Sequence, residues 1–236
     1  MHPPSLCPAT IVEIAKETPS IVRVVLDVGE AFTFLPGQWI DFAVELDGEE
    51  KVGGYSLASS PSALPRIELG IRISQTQRVS QWLHEDARPG DHVMIQGGSG
   101  DCVYTAEDGD DVTFVVGGIG ITPPLSMLRS ALEGDKAFKV RLFYSARTAD
   151  ELAFLADLRT LERDERFSLY TTVTQPLPGT DWAQQTGRWS LDSITSASRP
   201  NTIFYLFGPP QMVDQFQEAL ERSGVGCDQI RTERWW

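Results

Sequence analysis

Two glycines spaced for phosphate binding stand at positions 118 and 120, followed by a threonine and a proline. Gly118 and Gly120 come directly after an apolar run at residues 112–116, and Thr122 and Pro123 open a helical pattern. Glycine lets backbone amides approach a pyrophosphate, and a helix N-terminus adds positive potential. We expect Thr122 to cap that helix and Pro123 to fit its first turn. This context favours a dinucleotide-binding turn over a plain strand-to-helix turn.

A second turn of similar composition follows the last apolar run of the chain, at residues 203–207. It begins with Gly208 and Pro209. In an open parallel sheet, ligands bind beyond the carboxyl ends of the strands. We therefore expect this turn and the first to face each other across a nicotinamide ring. Taken alone, Gly208 and Pro209 are equally typical of a plain turn.

A third group of residues lies in the first half of the chain. Tyr55 and Ser56 are adjacent within a short stretch that runs from Gly54 to Leu57 and beyond. Neighbours on a strand point to opposite faces. An aromatic ring and a hydroxyl that bracket one point could stack on a flat heterocycle and hydrogen-bond to it. A half-buried strand explains the same pair equally well.

The elements that must position these residues differ between the two halves of the chain. The first hundred residues contain short runs of alternating apolar and polar residues, divided by turns such as Pro36-Gly37 and Pro89-Gly90. This spacing predicts an antiparallel β-barrel, with one helix at about residues 79–87. The predicted strands are residues 10–15, 21–28, 38–46, 54–58, 66–73 and 92–96.

After residue 111 the strands become continuous apolar runs that alternate with amphipathic helices. Such a pattern predicts a parallel sheet covered by helices on both faces, an α/β nucleotide-binding domain. The predicted strands are residues 112–116, 140–144, 169–173 and 203–207, and the predicted helices are residues 123–132, 149–162 and 209–222.

A glycine-rich stretch at 97–100 and an acidic run at 107–111 lie between the two patterns. Clusters of this kind mark loops. We therefore predict a β-barrel domain at residues 1–105 and a nucleotide-binding domain at residues 106–236.

Charge and composition exclude several classes of partner. The net charge of −13 repels phosphate backbones and anionic lipid heads, so we expect neither nucleic acid nor a membrane surface as a partner. The chain has no apolar run of the length that spans a bilayer, and its first residues lack the features of a signal peptide. A cytoplasmic location is the default expectation.

The cysteines and histidines predict no metal site. Three cysteines and three histidines are scattered, with no Cys-x-x-Cys pair. This excludes a disulfide framework and a cysteine-ligated iron–sulfur cluster within the chain. Any electron acceptor should therefore be a separate molecule.

The order of the motifs resembles the ferredoxin–NADP reductase superfamily, in its NADH–cytochrome reductase branch. The resemblance covers residues 9–236. It rests on motifs in the family's order, which are Pro36-Gly37-Gln38, Tyr55-Ser56, Pro89-Gly90-Asp91, Gly97-x-x-Gly100, Gly118-x-Gly120-x-x-Pro123, Tyr144-Ser145-Ala146-Arg147, Trp182 with Gly187-Arg188, Gly208-Pro209-x-x-Met212 and Glu233-Arg234-Trp235. The branch is indicated by the stretch Trp182-Ala183-Gln184-Gln185-Thr186-Gly187.

The resemblance implies that the barrel binds a flavin, FAD or alternatively FMN, and that the second domain binds NADH or NADPH. It implies that Tyr55 packs on the isoalloxazine and that Ser56 and Glu233 act near flavin N5, where hydride arrives. The other residues implied in cofactor binding are Gly54, Leu57, Gly70, Ile71, Arg72, Val79, Ser80, Gly118, Gly120, Thr122, Pro123, Gly208, Pro209, Met212 and Trp235. Of these, Val79 and Ser80 would hold the flavin pyrophosphate. Trp235 would stack on the flavin or, alternatively, belong to a terminal strand.

Three departures from the family pattern carry predictions. Gly53 stands where the family has an arginine that pairs with the flavin phosphates, and Arg78 is the candidate to replace it, its alternative being a surface charge. Phe207 precedes Gly208 where the family often has cysteine. The stretch Thr174-Gln175-Pro176 lacks the basic residue that receives the 2′-phosphate of NADPH, so NADH is expected to be preferred.

These features predict a flavin-dependent oxidoreductase that moves a hydride from NADH to bound FAD and passes electrons to a separate acceptor. That acceptor could be a redox protein, a quinone, a small oxidant or oxygen. An NADPH-dependent reductase is the first alternative. A non-catalytic scaffold that lost its flavin, or an electron-transfer subunit of a larger complex, is the second.

Overall fold

The computed structural model describes residues 6–105, 109–134, 138–177, 182 and 185–234. Within these residues the chain forms two sheets of six strands each, one antiparallel and one parallel. The predicted change of pattern near residue 105 therefore corresponds to a change of sheet, because the antiparallel strands end at Ser99 and the parallel strands begin at Asp111.

The antiparallel strands form a closed barrel. Their order is β4-β3-β6-β1-β2-β5, and a bridge between Leu57 and Leu69 joins the first strand of this order to the last. A single helix, α1 (Arg78–Glu85), packs against β4 and β5. The strands are β1 (Cys7–Lys16), β2 (Ile21–Asp27), β3 (Trp39–Leu46), β4 (Glu49–Ser56), β5 (Arg66–Arg72) and β6 (His92–Ser99).

Alternation along each barrel strand decides which side chains form the barrel core. In β3, Ile40 and Phe42 are fully buried, whereas Trp39 and Asp41 between and beside them are partly exposed. A period of two places one face of the strand on the core and the other toward solvent. The alternating pattern in the sequence therefore predicts both the strand and its buried face.

The parallel sheet has the order β10-β9-β8-β7-β11-β12, and its helices lie on both faces. Successive strands run outward from β7 in one direction and then resume on its other side at β11. The chain order therefore reverses between β7 and β11, which is the position where open α/β sheets bind ligands. The elements are β7 (Asp111–Gly117), α2 (Thr122–Glu133), β8 (Lys139–Ala146), α3 (Leu155–Leu161), β9 (Phe167–Val173), β10 (Gln185–Thr186), α4 (Leu191–Thr195), β11 (Ile203–Gly208), α5 (Pro210–Arg222) and β12 (Ile230–Arg234).

The single helix predicted at residues 149–162 is wrong. A short 3₁₀ turn covers Ala149–Glu151, and α3 begins only at Leu155. Between them Phe154 adopts a left-handed backbone conformation with φ of 57°, and its amide donates a hydrogen bond to Glu17 of the barrel at 2.6 Å. A contact with the other domain therefore overrides the local helical pattern.

The two domains share a continuous apolar core. Ile21, Ala58 and Tyr104 from the barrel side belong to the same buried cluster as the side chains under α2 and α3. The hydroxyl of Ser126 in α2 also donates to the carbonyl of Ser59 at 2.6 Å, and both residues are buried. Burial of this kind fixes the orientation of one domain on the other.

Candidate functional site

The first glycine turn connects β7 to α2 through a short 3₁₀ segment, Gly118–Ile121. Thr122 already has helical backbone angles, and its hydroxyl donates to the carbonyl of Ile119 at 3.2 Å. The prediction that Thr122 caps α2 is therefore wrong, because the 3₁₀ segment runs directly into the helix. The backbone amides without a helical partner are consequently those of the 3₁₀ segment, at and after Gly118. Pro123 occupies the first turn of α2, as the sequence predicts.

The two glycine turns are in direct contact. A Cβ atom on Gly120 would lie 2.9 Å from the backbone of Phe207 and 3.0 Å from the amide nitrogen of Gly208. The expectation that a nicotinamide lies between the turns is therefore wrong. Neighbouring strands are only about 4.8 Å apart, so the ends of β7 and β11 leave no space for a ring. A nicotinamide that contacts both turns would therefore rest over the pair.

Met212 and Pro209 complete this surface from the side of α5. A Cβ atom on Gly117 would lie 2.9 Å from the sulfur of Met212 and 3.1 Å from Cδ of Pro209. Gly117 was not among the predicted site residues, although its position next to Gly118 could have drawn attention to it. The turn therefore requires glycine at three of four consecutive positions, which are 117, 118 and 120.

In the barrel, β4 and β5 part beside Ser56 and Gly70. The Leu57–Leu69 bridge is the last pairing between these strands in the described residues. Ser56 is almost fully buried, and its hydroxyl has no hydrogen-bond partner in the part of the chain that the structure describes. The opening between the strands therefore offers free backbone and a free hydroxyl at one place.

Gly70 is the point where this opening meets the nucleotide-binding domain. A Cβ atom there would lie 2.8 Å from Cγ2 of Thr122 and 2.9 Å from the ring of Phe154. The first residue of α2 therefore touches the barrel strand that borders the opening. The glycine turn that precedes α2 consequently lies close to Ser56, on the opposite side of the domain boundary.

Arg72 lies at the same boundary. Its guanidinium is 4.0 Å from the position of a Cβ atom on Gly118, and it forms no ion pair or hydrogen bond among the described side chains. The residue is exposed. A free cation therefore stands between the barrel and the first glycine turn.

Tyr55 folds back over Gly53. A Cβ atom on Gly53 would lie 2.6 Å from the Tyr55 hydroxyl, so the ring occupies the space in which the family's arginine side chain would begin. The ring meets Phe42 edge-on at a centroid distance of 6.0 Å. Its hydroxyl is buried and has no hydrogen-bond partner within the described part of the chain, and burial raises the pKa of Tyr55 above its ordinary value. Gly53 and the orientation of Tyr55 therefore depend on each other.

At the start of α1, Val79 and Ser80 are both buried. The Ser80 hydroxyl donates to the carbonyl of Gln77 at 2.8 Å and accepts from the amide of Ser74 at 3.1 Å. It closes the loop before the helix, and only the backbone of these residues is left for a phosphate group.

Arg78 points away along the exposed side of α1. Its guanidinium is 3.5 Å from Asp47 and 3.3 Å from Gln81, and its side chain is 58% exposed. Contacts this long and this exposed contribute little stability. The side chain is therefore available to a phosphate if it rotates. The backbone of Ile71 in β5 is not free in the same way, because its carbonyl oxygen lies within hydrogen-bond distance, 2.9 Å, of Nε2 of His84 in α1.

Glu233 lies on β12, opposite Phe207 at the end of β11. Its Oε2 atom is buried and has no hydrogen-bond partner among the described residues. Burial raises the pKa of Glu233 to about 7, because the charged carboxylate loses solvation without gaining a partner. The next residue, Arg234, is bound to Asp214 at 2.8 Å. Trp235 lies outside the described residues.

These observations fit a flavin held between the two domains. Unpartnered polar atoms on Tyr55, Ser56 and Glu233 are the donors and acceptors that a polar heterocycle and its chain would use. The parted strands β4 and β5 provide backbone groups for the same purpose. In the described residues no group of histidine, cysteine or acidic side chains could hold a metal ion, and no helix has the length and apolar character that a membrane crossing needs.

Comparisons with known proteins agree with both halves of the site. Residues 8–104 match the family described as the oxidoreductase FAD-binding domain, and residues 114–218 match the oxidoreductase NAD-binding domain. A protein from Bos taurus called oxidoreductase NAD-binding domain-containing protein 1 is 32% identical over 97% of this chain and 80% of its own length.

Two further relatives carry more specific names. The glycine betaine monooxygenase reductase subunit of Pseudomonas aeruginosa (strain UCBPP-PA14) is 31% identical over 86% of this chain and 56% of its own length. The crystal structure of a cytochrome P450 reductase from Amycolatopsis superimposes with a TM-score of 0.86 and 26% identity, covering 99% of this chain and 71% of that one.

The glycine turns at the strand reversal match the nucleotide-binding half of this family, and the opening between β4 and β5 matches its flavin-binding half. The chain belongs to the ferredoxin–NADP reductase superfamily and is a flavoprotein oxidoreductase that binds FAD and NAD(P)H.

Proposed function

We propose that this protein is an NADH-preferring reductase that passes electrons from bound FAD to a separate redox protein. The observation that carries the proposal is the contact of Gly70 with Thr122, at 2.8 Å from a Cβ position on Gly70. This contact places the opening beside Ser56 and the turn at Gly118 on opposite sides of the boundary between the two domains. A nicotinamide over the glycine turns and a flavin in the barrel opening would then meet face to face.

When bound, a flavin would supply the redox chemistry, which is acceptance of a hydride from NADH and release of electrons to the acceptor. The protein contributes position and electrostatics rather than the organic mechanism. The Ser56 hydroxyl has no other partner, so it is free to donate a hydrogen bond to the atom that receives the hydride. Such a bond accelerates the reaction if it is stronger in the transition state than before it.

Glu233 is proposed to hold a proton near the same position. Since burial raises its pKa to about 7, both its protonated and its charged form are populated near neutral pH. It lies opposite Phe207, whose neighbour Gly208 belongs to the surface on which the nicotinamide would rest. No described residue forms a hydrogen bond with its Oε2 atom, so this atom is available to a group bound in the site.

The preference for NADH rests on the strand ends that would receive the adenosine. The amides of Thr174 and Gln175 bond to the carbonyls of Ala146 and Arg147, at 3.0 and 2.7 Å, so these residues line the end of β8. Neither carries a basic side chain. A 2′-phosphate needs basic donors, best supplied by a bidentate arginine.

Arg147 and Arg188 are the two residues that could reverse this preference. Both are exposed, and neither side chain has a partner in the described part of the chain. Arg147 follows β8, and Arg188 follows Gly187, whose amide bonds to the carbonyl of Val173 at 2.8 Å. Both therefore lie near the strand ends where the adenosine would bind.

The acceptor is proposed to be a redox protein of an oxygenase system. The relatives from Pseudomonas aeruginosa and Amycolatopsis are named as reductases of a monooxygenase and of a cytochrome P450. Both are longer than this chain, which covers 56% and 71% of them. A quinone, a small oxidant and oxygen are the other acceptors that a test must compare.

The test of cofactor preference measures kcat/KM for NADH and NADPH with ferricyanide as a common acceptor. We expect NADH to be favoured about tenfold or more, because an unpaired 2′-phosphate is costly to bury. A preference for NADPH would contradict the proposal. Arg147→Ala and Arg188→Ala, examined in turn, would then identify the residue that binds the phosphate.

The test of the acceptor follows reoxidation of the protein after anaerobic reduction. A plant-type ferredoxin, a water-soluble quinone and oxygen are supplied separately at equal concentration. We expect the ferredoxin to be fastest. If oxygen or the quinone reoxidises the protein as fast as the ferredoxin, the assignment of a redox-protein partner fails.

A further inference from the structure

A cluster of five charged side chains crosses the domain boundary, and we call it the interdomain cluster. Arg23 binds Glu17 at 3.0 Å and Asp157 at 2.5 Å, while Arg129 binds Glu68 at 3.2 Å and Asp157 at 2.9 Å. Arg23, Glu17 and Glu68 belong to the barrel domain, and Arg129 and Asp157 to the nucleotide-binding domain. Each arginine therefore binds an acid from its own domain and one from the other.

The cluster is partly shielded from solvent. The side chains of its members are between 16% and 26% exposed. Arg129 also donates to the carbonyl of Ala58 at 2.9 Å, which ties α2 to the barrel backbone. Networks of this kind are worth more than isolated surface pairs, and removing one partner leaves a charge without compensation.

Two contacts lead from the cluster to the site. The second carboxylate oxygen of Glu17 accepts the amide of Phe154 at 2.6 Å, and Arg23 lies over the Phe154 ring at 4.8 Å from its centroid. The same ring packs on Gly70, at 2.9 Å from a Cβ position there. Phe154 therefore links the cluster to the point where the barrel opening meets Thr122.

Other charges around the boundary do not provide a comparable link. Glu151 accepts hydrogen bonds from the hydroxyls of Thr18 and Ser20, at 3.1 and 2.6 Å. Glu133 accepts hydrogen bonds from the hydroxyls of Ser60 and Ser62. These are acids bound to neutral hydroxyls. Arg23 and Arg129 each connect acids of both domains. Asp157 lies within 2.9 Å of both arginines, whereas Glu68 lies 3.2 Å from Arg129 and 3.6 Å from Arg23.

We propose that Asp157, through Arg23 and Arg129, is a positioning residue that sets the distance across which hydride passes. The inference rests on the proposed function and deepens it. Asp157 touches neither nucleotide nor flavin. It holds the nucleotide-binding domain on the barrel so that the glycine turn reaches the opening beside Ser56. A misplacement of about 1 Å far from the reacting atoms can cost about a hundredfold in rate.

The test compares Asp157→Asn with Asp164→Asn, a matched control. Asp164 lies in the same domain, is similarly exposed and binds Arg166 at 2.7 Å, but this pair does not cross the boundary. Stopped-flow reduction of the bound flavin is measured at saturating nucleotide, using whichever of NADH and NADPH reduces the parent faster. The dissociation constant of the nucleotide is measured in parallel.

We expect Asp157→Asn to slow flavin reduction about tenfold or more, with less than a twofold change in nucleotide affinity. Asp164→Asn should leave both quantities within twofold of the parent. A readout independent of activity is hydrogen exchange of the Phe154 amide in the protein without nucleotide. That amide should exchange faster in Asp157→Asn alone, because its bond to Glu17 depends on the closed boundary.

Two conservative variants keep the proposal open to refutation if Asp157→Asn folds poorly. Asp157→Glu keeps the charge and should restore most of the rate. Arg129→Lys keeps a charge but not the fork that reaches two acids, so it should show an intermediate loss. A reduction rate within twofold of the parent for both Asp157→Asn and Arg129→Lys would overturn the inference. A parent that neither nucleotide reduces would instead overturn the proposed function.

Discussion

The two halves of the site are built in different ways. In the nucleotide-binding domain the surface is mainly backbone, formed where Gly117 and Gly120 meet Phe207 and Gly208 at the strand reversal. In the barrel the surface depends on side chains whose directions are set by neighbours, such as Tyr55 on Gly53 and Arg78 toward Asp47. A site formed by backbone can be predicted from the spacing of glycines in the sequence. A site formed by side chains also depends on packing partners that are distant in sequence.

The largest effect on nucleotide binding is expected at Gly120, where neighbouring backbone leaves no room for a side chain. Gly120→Val places side-chain atoms against the backbone of Phe207 and the Gly208 amide, within 3.0 Å. Backbone cannot move aside as a flexible side chain can. We expect nucleotide affinity to fall by more than about a hundredfold, while the barrel keeps its FAD. Titration of the flavin spectrum with the nucleotide measures this.

Gly134→Ala is the control for that substitution. It lies in the same domain, just after α2, and among the described residues a Cβ atom there would meet only the carbonyl oxygen of Ala131 at 3.7 Å, an ordinary contact. Its nucleotide affinity should equal that of the parent. If Gly120→Val also binds the nucleotide normally, the turn is not the binding surface, and the comparison between the two halves loses its basis.

The next effect tests the barrel half. Ser56→Ala should slow flavin reduction by about a hundredfold at saturating NADH, because the hydroxyl would act where charge develops. The dissociation constant for NADH should change less than the rate. Stopped-flow absorbance near 450 nm separates the two quantities. Equal reduction rates in variant and parent would remove Ser56 from the catalytic residues.

A third prediction concerns the missing arginine at Gly53. If Arg78 rotates from Asp47 onto the flavin phosphates, Arg78→Ala should weaken FAD binding by about 1.5–3 kcal/mol. Arg88→Ala is the matched comparison, because Arg88 is also exposed but lies beyond the opposite end of α1. It should leave FAD affinity nearly unchanged. Fluorescence of released flavin on dilution measures both. An Arg78 variant with the parent's affinity would make Arg78 a surface charge.

The smallest effect is a stability change at Glu233. Because its pKa is raised to about 7 in the folded protein, the folded state keeps a proton that the unfolded chain releases near pH 4.5. This stabilisation is complete below about pH 4.5 and is lost as the pH rises through about 7. Glu233→Gln should therefore raise Tm by about 2–4 °C at pH 8 and change it little at pH 4.5.

Glu218→Gln provides the control for this measurement. Glu218 is an exposed carboxylate on α5, so its substitution should shift Tm equally at both pH values. The reduction rate of the Glu233 variant should also lose the parent's dependence on pH near 7. A Tm difference that does not grow with pH would show that Glu233 is charged and solvated in the folded protein.

Much of the fold could be predicted from the sequence, because the period of the apolar residues changes with the sheet type. Strand β10 was missed, since two residues carry no such period. A terminal strand was predicted only as the alternative for Trp235, because β12 (Ile230–Arg234) has one apolar residue followed by four polar ones and so shows no alternation. The helix at 149–162 was overestimated for a different reason. Nothing local indicates that Phe154 is held in a left-handed conformation by Glu17, more than a hundred residues away.

The site shows the same division. The contact between the turns at Gly120 and Gly208 follows from strand order, and the sequence already contains the glycines. The orientation of Tyr55 and the burial of the Glu233 carboxylate cannot be obtained from spacing, because each depends on side chains from other strands. The interdomain cluster was also missed, since its five residues are spread from Glu17 to Asp157.

The most direct test of the whole account is anaerobic mixing of the purified protein with NADH while the flavin spectrum is recorded. The account predicts a yellow protein that releases FAD on denaturation and whose absorbance near 450 nm bleaches with NADH about tenfold more efficiently than with NADPH. A protein that stays colourless after reconstitution with FAD, or a flavin that NADH does not bleach, would contradict the account and favour a scaffold that has lost its cofactor.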